Sequence, residues 1–146
     1  MKTNFNNPLM QFDALQNSAS FLNFIVQNSS SCVLILDENL VVQAYNESAK
    51  KLFNSIFGEY ILYKKIGDAL GCGNSINEQK QCTHTSKCKL CTLKNDLYES
   101  FSSKQAVYKK NIENQYLNSD NMLTTRVLQY SIKPIKINTT EYITIL

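Results

Sequence analysis

The chain has 146 residues, 43% of them hydrophobic, and 15 basic against 12 acidic side chains leave a formal net charge of +3. That length accommodates one domain whose core is large enough to fold without disulfides. So small a charge, with Arg126 the only arginine, argues against a nucleic-acid partner held by phosphate forks.

Residues Met1 to Pro8 are polar and show no export segment, and no run along the chain nears the roughly eighteen apolar residues that span a bilayer. A reducing cytoplasm is the expected setting, with no membrane segment in this chain. Leu9, Phe12, Leu15, Ala19, Leu22 and Val26 recur at steps of three and four and predict one or two amphipathic helices before residue 30, with Ser18 or Ser20 as cap or break. Residues 1–19 read as an N-terminal helical extension, packed on its own core or on a second subunit. Cys32-Val33-Leu34-Ile35-Leu36 and Leu40-Val41-Val42-Gln43-Ala44-Tyr45 flank the polar turn Asp37-Glu38-Asn39 and predict a hairpin, with Cys32 a small buried hydrophobe in its first strand.

Asn46 is placed to cap a short helix carrying Ala49, Leu52 and Phe53, which Gly58 ends. Ile61, Leu62, Ile66 and Leu70 repeat at helical spacing before Gly71-Cys72-Gly73, and residues 74–87 are polar and irregular. A further helix begins near Cys88, with Leu90, Leu93, Leu97 and Phe101 on one face. The last third changes period. Ala106, Tyr108 and Ile112 mark one strand, residues 122–132 alternate as a second, and residues 142–146 form a third, with turns at 118–121 and 138–140.

The order is thus two strands, several short helices and three strands, an α+β arrangement. Leu34 to Phe53, with Asp37 closing the first strand and Asn46, Ala49, Leu52 and Phe53 marking the first helix, resembles the opening segment of a PAS domain. The resemblance covers residues 20–146 and implies a five-stranded antiparallel sheet with short helices on one face. A narrower likeness lies in Gly67-Asp68-Ala69-Leu70-Gly71-Cys72, then Cys82, then Cys88-Lys89-Leu90-Cys91, which resembles a cysteine-rich subset of bacterial PAS sensor domains. Thr83 departs from that subset, where glycine usually stands, so the turn around Cys82 is expected to differ.

Cys72, Cys82, Cys88 and Cys91 form C-x9-C-x5-C-x2-C within an insert at residues 72–91. A two-residue gap at a helix start turns both sulfurs toward one centre, and the longer gaps let loop cysteines complete a tetrahedron. Thiolates are soft donors suited to Zn2+ or an iron–sulfur cluster and unsuited to magnesium or calcium. Spacing does not separate zinc from a cluster, and thiol–disulfide switching through Cys88 and Cys91 is a competing reading. Lys80, Lys87, Lys89 and Lys94 flank the cysteines and would offset their charge. His84, the only histidine, reads as a solvated loop residue ahead of a substitute ligand.

Haem is not expected, because residues 88–103 lack the histidine that haem-binding PAS domains carry on the long helix. Flavin is not expected either, since the Asn-Cys-Arg-Phe-Leu-Gln segment of the light-sensing relatives is absent. No phosphate loop or nucleophile elbow is present, and the chain does not read as an enzyme. Cys88-Lys89-Leu90-Cys91 alone motivates a thiol oxidoreductase, without the β-α-β context that such an enzyme needs. The expected function is a cytoplasmic sensory domain in signal transduction whose four cysteines report redox, oxygen or metal state. The alternative is a zinc-stabilised interaction and dimerisation module without sensing chemistry. Either form implies a homodimer through the N-terminal helix and sheet, and a signalling output domain or partner protein.

Overall fold

The structure, a computed structural model, describes residues 18–57 and 61–146, without the side chains of 54–57. Leu9, Phe12, Leu15 and Gly58 lie outside the described residues. The first element is helix α1 (Ala19–Asn28), whose N-cap is Ser18, with its hydroxyl accepting the Phe21 amide at 3.2 Å. Strands β1 (Leu34–Leu36) and β2 (Val42–Tyr45) form the anticipated hairpin. Asp37 builds its turn by accepting the amides of Asn39 and Val41 and the Gln43 side chain. The first strand is shorter than its apolar run, so Cys32 precedes it and is half-buried against the core.

Asn46 caps helix α2 (Glu47–Phe57), its Oδ1 accepting the Ala49 amide at 3.1 Å. The repeat of Ile61, Leu62, Ile66 and Leu70 does not form one helix. Residues 61–65 run beside β2 instead, with a bridge between Val41 and Lys65 and the Val42 amide donating to the Lys64 carbonyl at 2.9 Å. Only α3 (Ile66–Leu70) is helical, because the backbone pairing satisfies donors that a longer helix would take away from the sheet. Conversely, the polar stretch expected to be irregular contains α4 (Gly73–Glu78). A 3₁₀ turn (Cys88–Leu90) then leads into α5 (Thr92–Ser103).

Strands β3 (Val107–Leu117), β4 (Leu123–Ile137) and β5 (Thr140–Ile145) complete an antiparallel sheet in the order β2-β1-β5-β4-β3. β4 overruns the predicted alternation. Beyond Ile132 it pairs only with β5, so Pro134 sits where β4 needs a partner on one side alone. The core gathers Leu36, Val42, Tyr130, Ile132 and Ile143 from the sheet with Phe53, Ile66, Ala69, Leu93 and Leu97 from the helices covering it. The fold is therefore α+β, a five-stranded antiparallel sheet with short helices packed on one face.

Candidate metal centre

Cys72, Cys82, Cys88 and Cys91 line one cavity of about 30 Å3, together with Gly67, Ser75, Lys94, Asn114 and Tyr116. Sequence reasoning grouped the four cysteines by spacing, and the fold brings them to the same place from four local structures. Cys72 follows Gly71, which ends α3 at φ 73, a conformation that glycine takes without strain. The Cys72 amide donates to the Gly67 carbonyl at 2.8 Å, and Cys72 bridges Tyr116 on β3. Cys82 is held by its own amide, which donates to Asp68 Oδ1 at 2.8 Å.

Gly67 makes room for the Cys82 sulfur. A Cβ on Gly67 would sit 2.5 Å from Cys82 Sγ and 3.6 Å from Cys72 Cβ, so no side chain fits between α3 and the sulfur. Cys88 begins the 3₁₀ turn and its Sγ lies 2.8 Å from Thr85 Oγ1. Cys91 is the N-cap of α5, its sulfur accepting the Lys94 amide at 3.5 Å. A thiolate at this position is favoured by the orphan amides of the first helical turn. Backbone amides thus meet two of the four sulfurs, Lys94 at Cys91 and Gly67 at Cys82, and Cys88 shares a hydrogen bond with the Thr85 hydroxyl.

Burial raises two of the thiols, Cys82 and Cys91. Desolvation pushes the Cys82 thiol up to about 11, against the opposing hydrogen bond from the Gly67 amide. Cys91 is also raised, first by burial and then by the neighbouring cysteines, while the Lys94 amide and ammonium pull the other way. As they stand, the four cysteines are a set of soft donors lining one space. Among the described residues, no group of three or more His, Cys, Asp or Glu side chains is already arranged to hold a metal ion. The donor chemistry and the convergence fit a thiophilic metal.

Two residues that support the site, Asp68 and Ser75, are not singled out by the cysteine spacing. Asp68 belongs to the Gly67-to-Cys72 motif, yet its bond to the Cys82 amide is visible only in three dimensions. Ser75 lies three residues after Cys72, one helical turn on, and this spacing would have found it had α4 been read as a helix. Its Oγ is buried and has no hydrogen-bond partner. His84 is not among the cavity residues; its Nδ1 lies 3.4 Å from Thr83 Oγ1. Of the flanking lysines Lys94 reaches the wall, whereas Lys80 pairs with Glu78 at 3.4 Å. Thr83 adopts φ 77, so the turn keeps the left-handed geometry that a glycine would give, and its hydroxyl accepts from Lys65 Nζ at 2.9 Å.

A second, larger cavity of about 420 Å3 lies between the helices and the sheet, and Ile66, Leu70 and Leu93 wall both spaces. At its apolar lining Tyr130 donates to Asp96 Oδ2 at 2.7 Å.

No protein-family model matches the chain, and no curated protein matches it in sequence. Solved structures do resemble it. The PAS domain of nitrogen regulation protein NR(II) from Vibrio parahaemolyticus aligns with a TM-score of 0.53 at 16% identity, covering 85% of this chain and 93% of that one. The PAS domain of an HTR-like protein from Haloarcula marismortui aligns at 0.53 and 13% identity over 94% and 95% of the two chains. The PAS domain of BvgS from Bordetella pertussis aligns at 0.53 and 12% identity over 91% and 83%. These likenesses show the fold, which is the PAS fold. Among the described residues no helix is long and apolar enough to cross a membrane.

Proposed function

We propose that this PAS-fold chain is a sensory or regulatory domain of a signalling system, and that Cys72, Cys82, Cys88 and Cys91 together hold a metal ion or an iron–sulfur cluster. The observation that supports the reading is that all four cysteines line one cavity built against β3. The bound group would supply a bond set that depends on metal supply, oxygen or thiol redox state. The chain's own residues supply the rest. Gly67 admits the Cys82 sulfur, Asp68 orients its backbone, and the Lys94 amide and Thr85 hydroxyl stabilise charge on Cys91 and Cys88.

A change at the sulfurs has a route into the sheet. The Leu117 amide of β3 donates to the Gly71 carbonyl at 2.8 Å, beside the Cys72–Tyr116 bridge. Release of residues 72–91 would loosen this end of β3, a two-state element of the kind that switching requires. The readout surface is a second copy of the chain or an output partner at α1 and the sheet. α1 buries none of its residues and exposes Leu22, Phe24, Ile25 and Val26, while the sheet exposes Tyr108, Val127 and Ile135.

Protein purified without oxygen tests the site. Cys88→Ser should abolish metal retention, and Cys32→Ser should leave it intact, because Cys32 lines the other cavity. Retention by neither the natural chain nor Cys32→Ser overturns the metal site. A metal that stays bound while air and reductant leave oligomeric state and β3 protection unchanged favours the zinc-stabilised interaction module instead.

A further inference from the structure

The four cysteines do not distinguish a single ion from a cluster, but the space between them does. The cavity measures about 30 Å3, on the scale of one or two water molecules. An iron–sulfur cluster brings at least two irons and two sulfides inside the ring of cysteine sulfurs, and so needs walls that can retreat. Here Cys82 is tied to α3 through its amide bond to Asp68, and the other cysteines sit in hydrogen-bonded turns. Besides the Cys72 and Cys82 contacts to Gly67 and Asp68, the Cys88 amide donates to the Thr85 carbonyl at 3.2 Å and the Cys91 amide to the Cys88 carbonyl at 3.2 Å. The α3 backbone at Gly67 already stands where a Cβ would meet Cys82 Sγ at 2.5 Å. Enlarging the space moves Cys82 away from α3 and breaks its bond to Asp68, a displacement that a single ion demands less of than a cluster does.

The second observation is Ser75. It is 8% exposed, lines the same cavity, and is the only described buried side chain whose polar atom has no partner. A buried hydroxyl without a partner is rare and costly. Other sulfurs in this site already meet donors, and a coordinated thiolate is a strong acceptor for one more.

We propose that the cavity takes a single thiophilic divalent ion of the zinc class on Cys72, Cys82, Cys88 and Cys91, and that Ser75 is a positioning residue whose hydroxyl donates to a coordinated sulfur. The assignment rests on the four-cysteine reading above. Each thiol that coordinates gives its proton to solvent, and no electron changes hands. Such a site responds to metal supply or to oxidation of its ligands, and not to a change in the metal's own valence.

The test uses the full chain, purified without oxygen for metal and acid-labile sulfide content, then stripped and titrated with Zn2+ or Co2+ alone. One equivalent of ion per chain, with the visible spectrum of tetrahedral cobalt thiolate, is expected. Ser75→Ala should keep that four-thiolate spectrum with shifted bands and bind the ion about 10-fold to 100-fold more weakly, and Ser75→Thr should restore affinity. Iron with matching sulfide overturns the single ion while leaving the four-cysteine site standing. No uptake of iron, zinc or cobalt, with four thiols reacting freely, overturns both. A Ser75→Ala chain with unchanged affinity and spectrum overturns the role of Ser75.

Discussion

At Gly67 one methyl group decides whether Cys82 can face the other three cysteines. Gly67→Ala keeps every thiol, yet places a Cβ within 2.5 Å of Cys82 Sγ. Competition titration should show metal affinity falling at least about tenfold in this variant, as it does when a supporting contact of a ligand is lost. Thr83 works in the opposite sense. Its φ of 77 strains a β-branched side chain, so Thr83→Gly should raise stability by about 0.5–1 kcal/mol in urea unfolding, the gain being reduced by loss of the Lys65 hydrogen bond. The sequence pattern marked this position as a departure, and it could not show that Thr83 itself takes the left-handed conformation and carries the strain. Tyr130 has a pH signature. Burial and its hydrogen bond to Asp96 raise the phenol above its ordinary value of 10.0, so the folded state holds the proton more tightly than the unfolded chain does. The associated stability is fully present below about pH 10 and is lost as pH rises beyond it. Denaturant midpoints measured across pH 8–11 should fall at the alkaline end in the natural chain, and the fall should be shallower in Tyr130→Phe.

Among the elements, legibility followed the presence of an apolar stripe. α2 and α5 announce themselves through Ala49, Phe53, Leu93 and Leu97, which are buried as their spacing requires. α4 has no such stripe, for it buries Gly73 and Ser75 and leaves Ile76 partly exposed, so a reading by hydrophobic period passes over it. Residues 61–65 show the converse failure. Their helical period loses to backbone pairing with β2, a non-local term that no window of residues contains. Asn46 was legible as a cap, but it does more than cap. It is 1% exposed, accepts the Val33 and Ala49 amides and donates to the Val26 and Ser31 carbonyls, tying α1 to β1 and α2. Asn46→Ala removes four hydrogen bonds that join α1, the loop before β1 and α2, and should cost about 2–4 kcal/mol. Hydrogen exchange should locate the loosening first in residues 18–31. A variant that melts as the natural chain does would deny the latch.

For the whole molecule, the strand order β2-β1-β5-β4-β3 leaves β2 and β3 at the two edges. The order of strands and helices, through its resemblance to a PAS domain, implied a five-stranded antiparallel sheet, whereas the order of strands across the sheet and the cavity's walls depend on which edge each connector meets. If the cysteine site holds its metal, chelation should remove hydrogen-exchange protection from residues 67–94 and from the end of β3 near Leu117. β1 and β5, paired on both sides, should keep theirs. Uniform loss across all five strands would mean that the site supports the fold as a whole and transmits nothing local.

The two single-residue bridges have a joint consequence. Val41–Lys65 lies against β2 and Cys72–Tyr116 lies against β3, and the residues between Lys65 and Cys72 are little more than α3. The residues flanking one five-residue helix therefore touch both edges of an open sheet, covering one end of each against pairing with a foreign strand. Opening the cysteine loop would unfasten one of these two contacts. A domain starved of its metal would then tend to self-associate through the bared margin of β3, and its aggregates would be rich in intermolecular β structure.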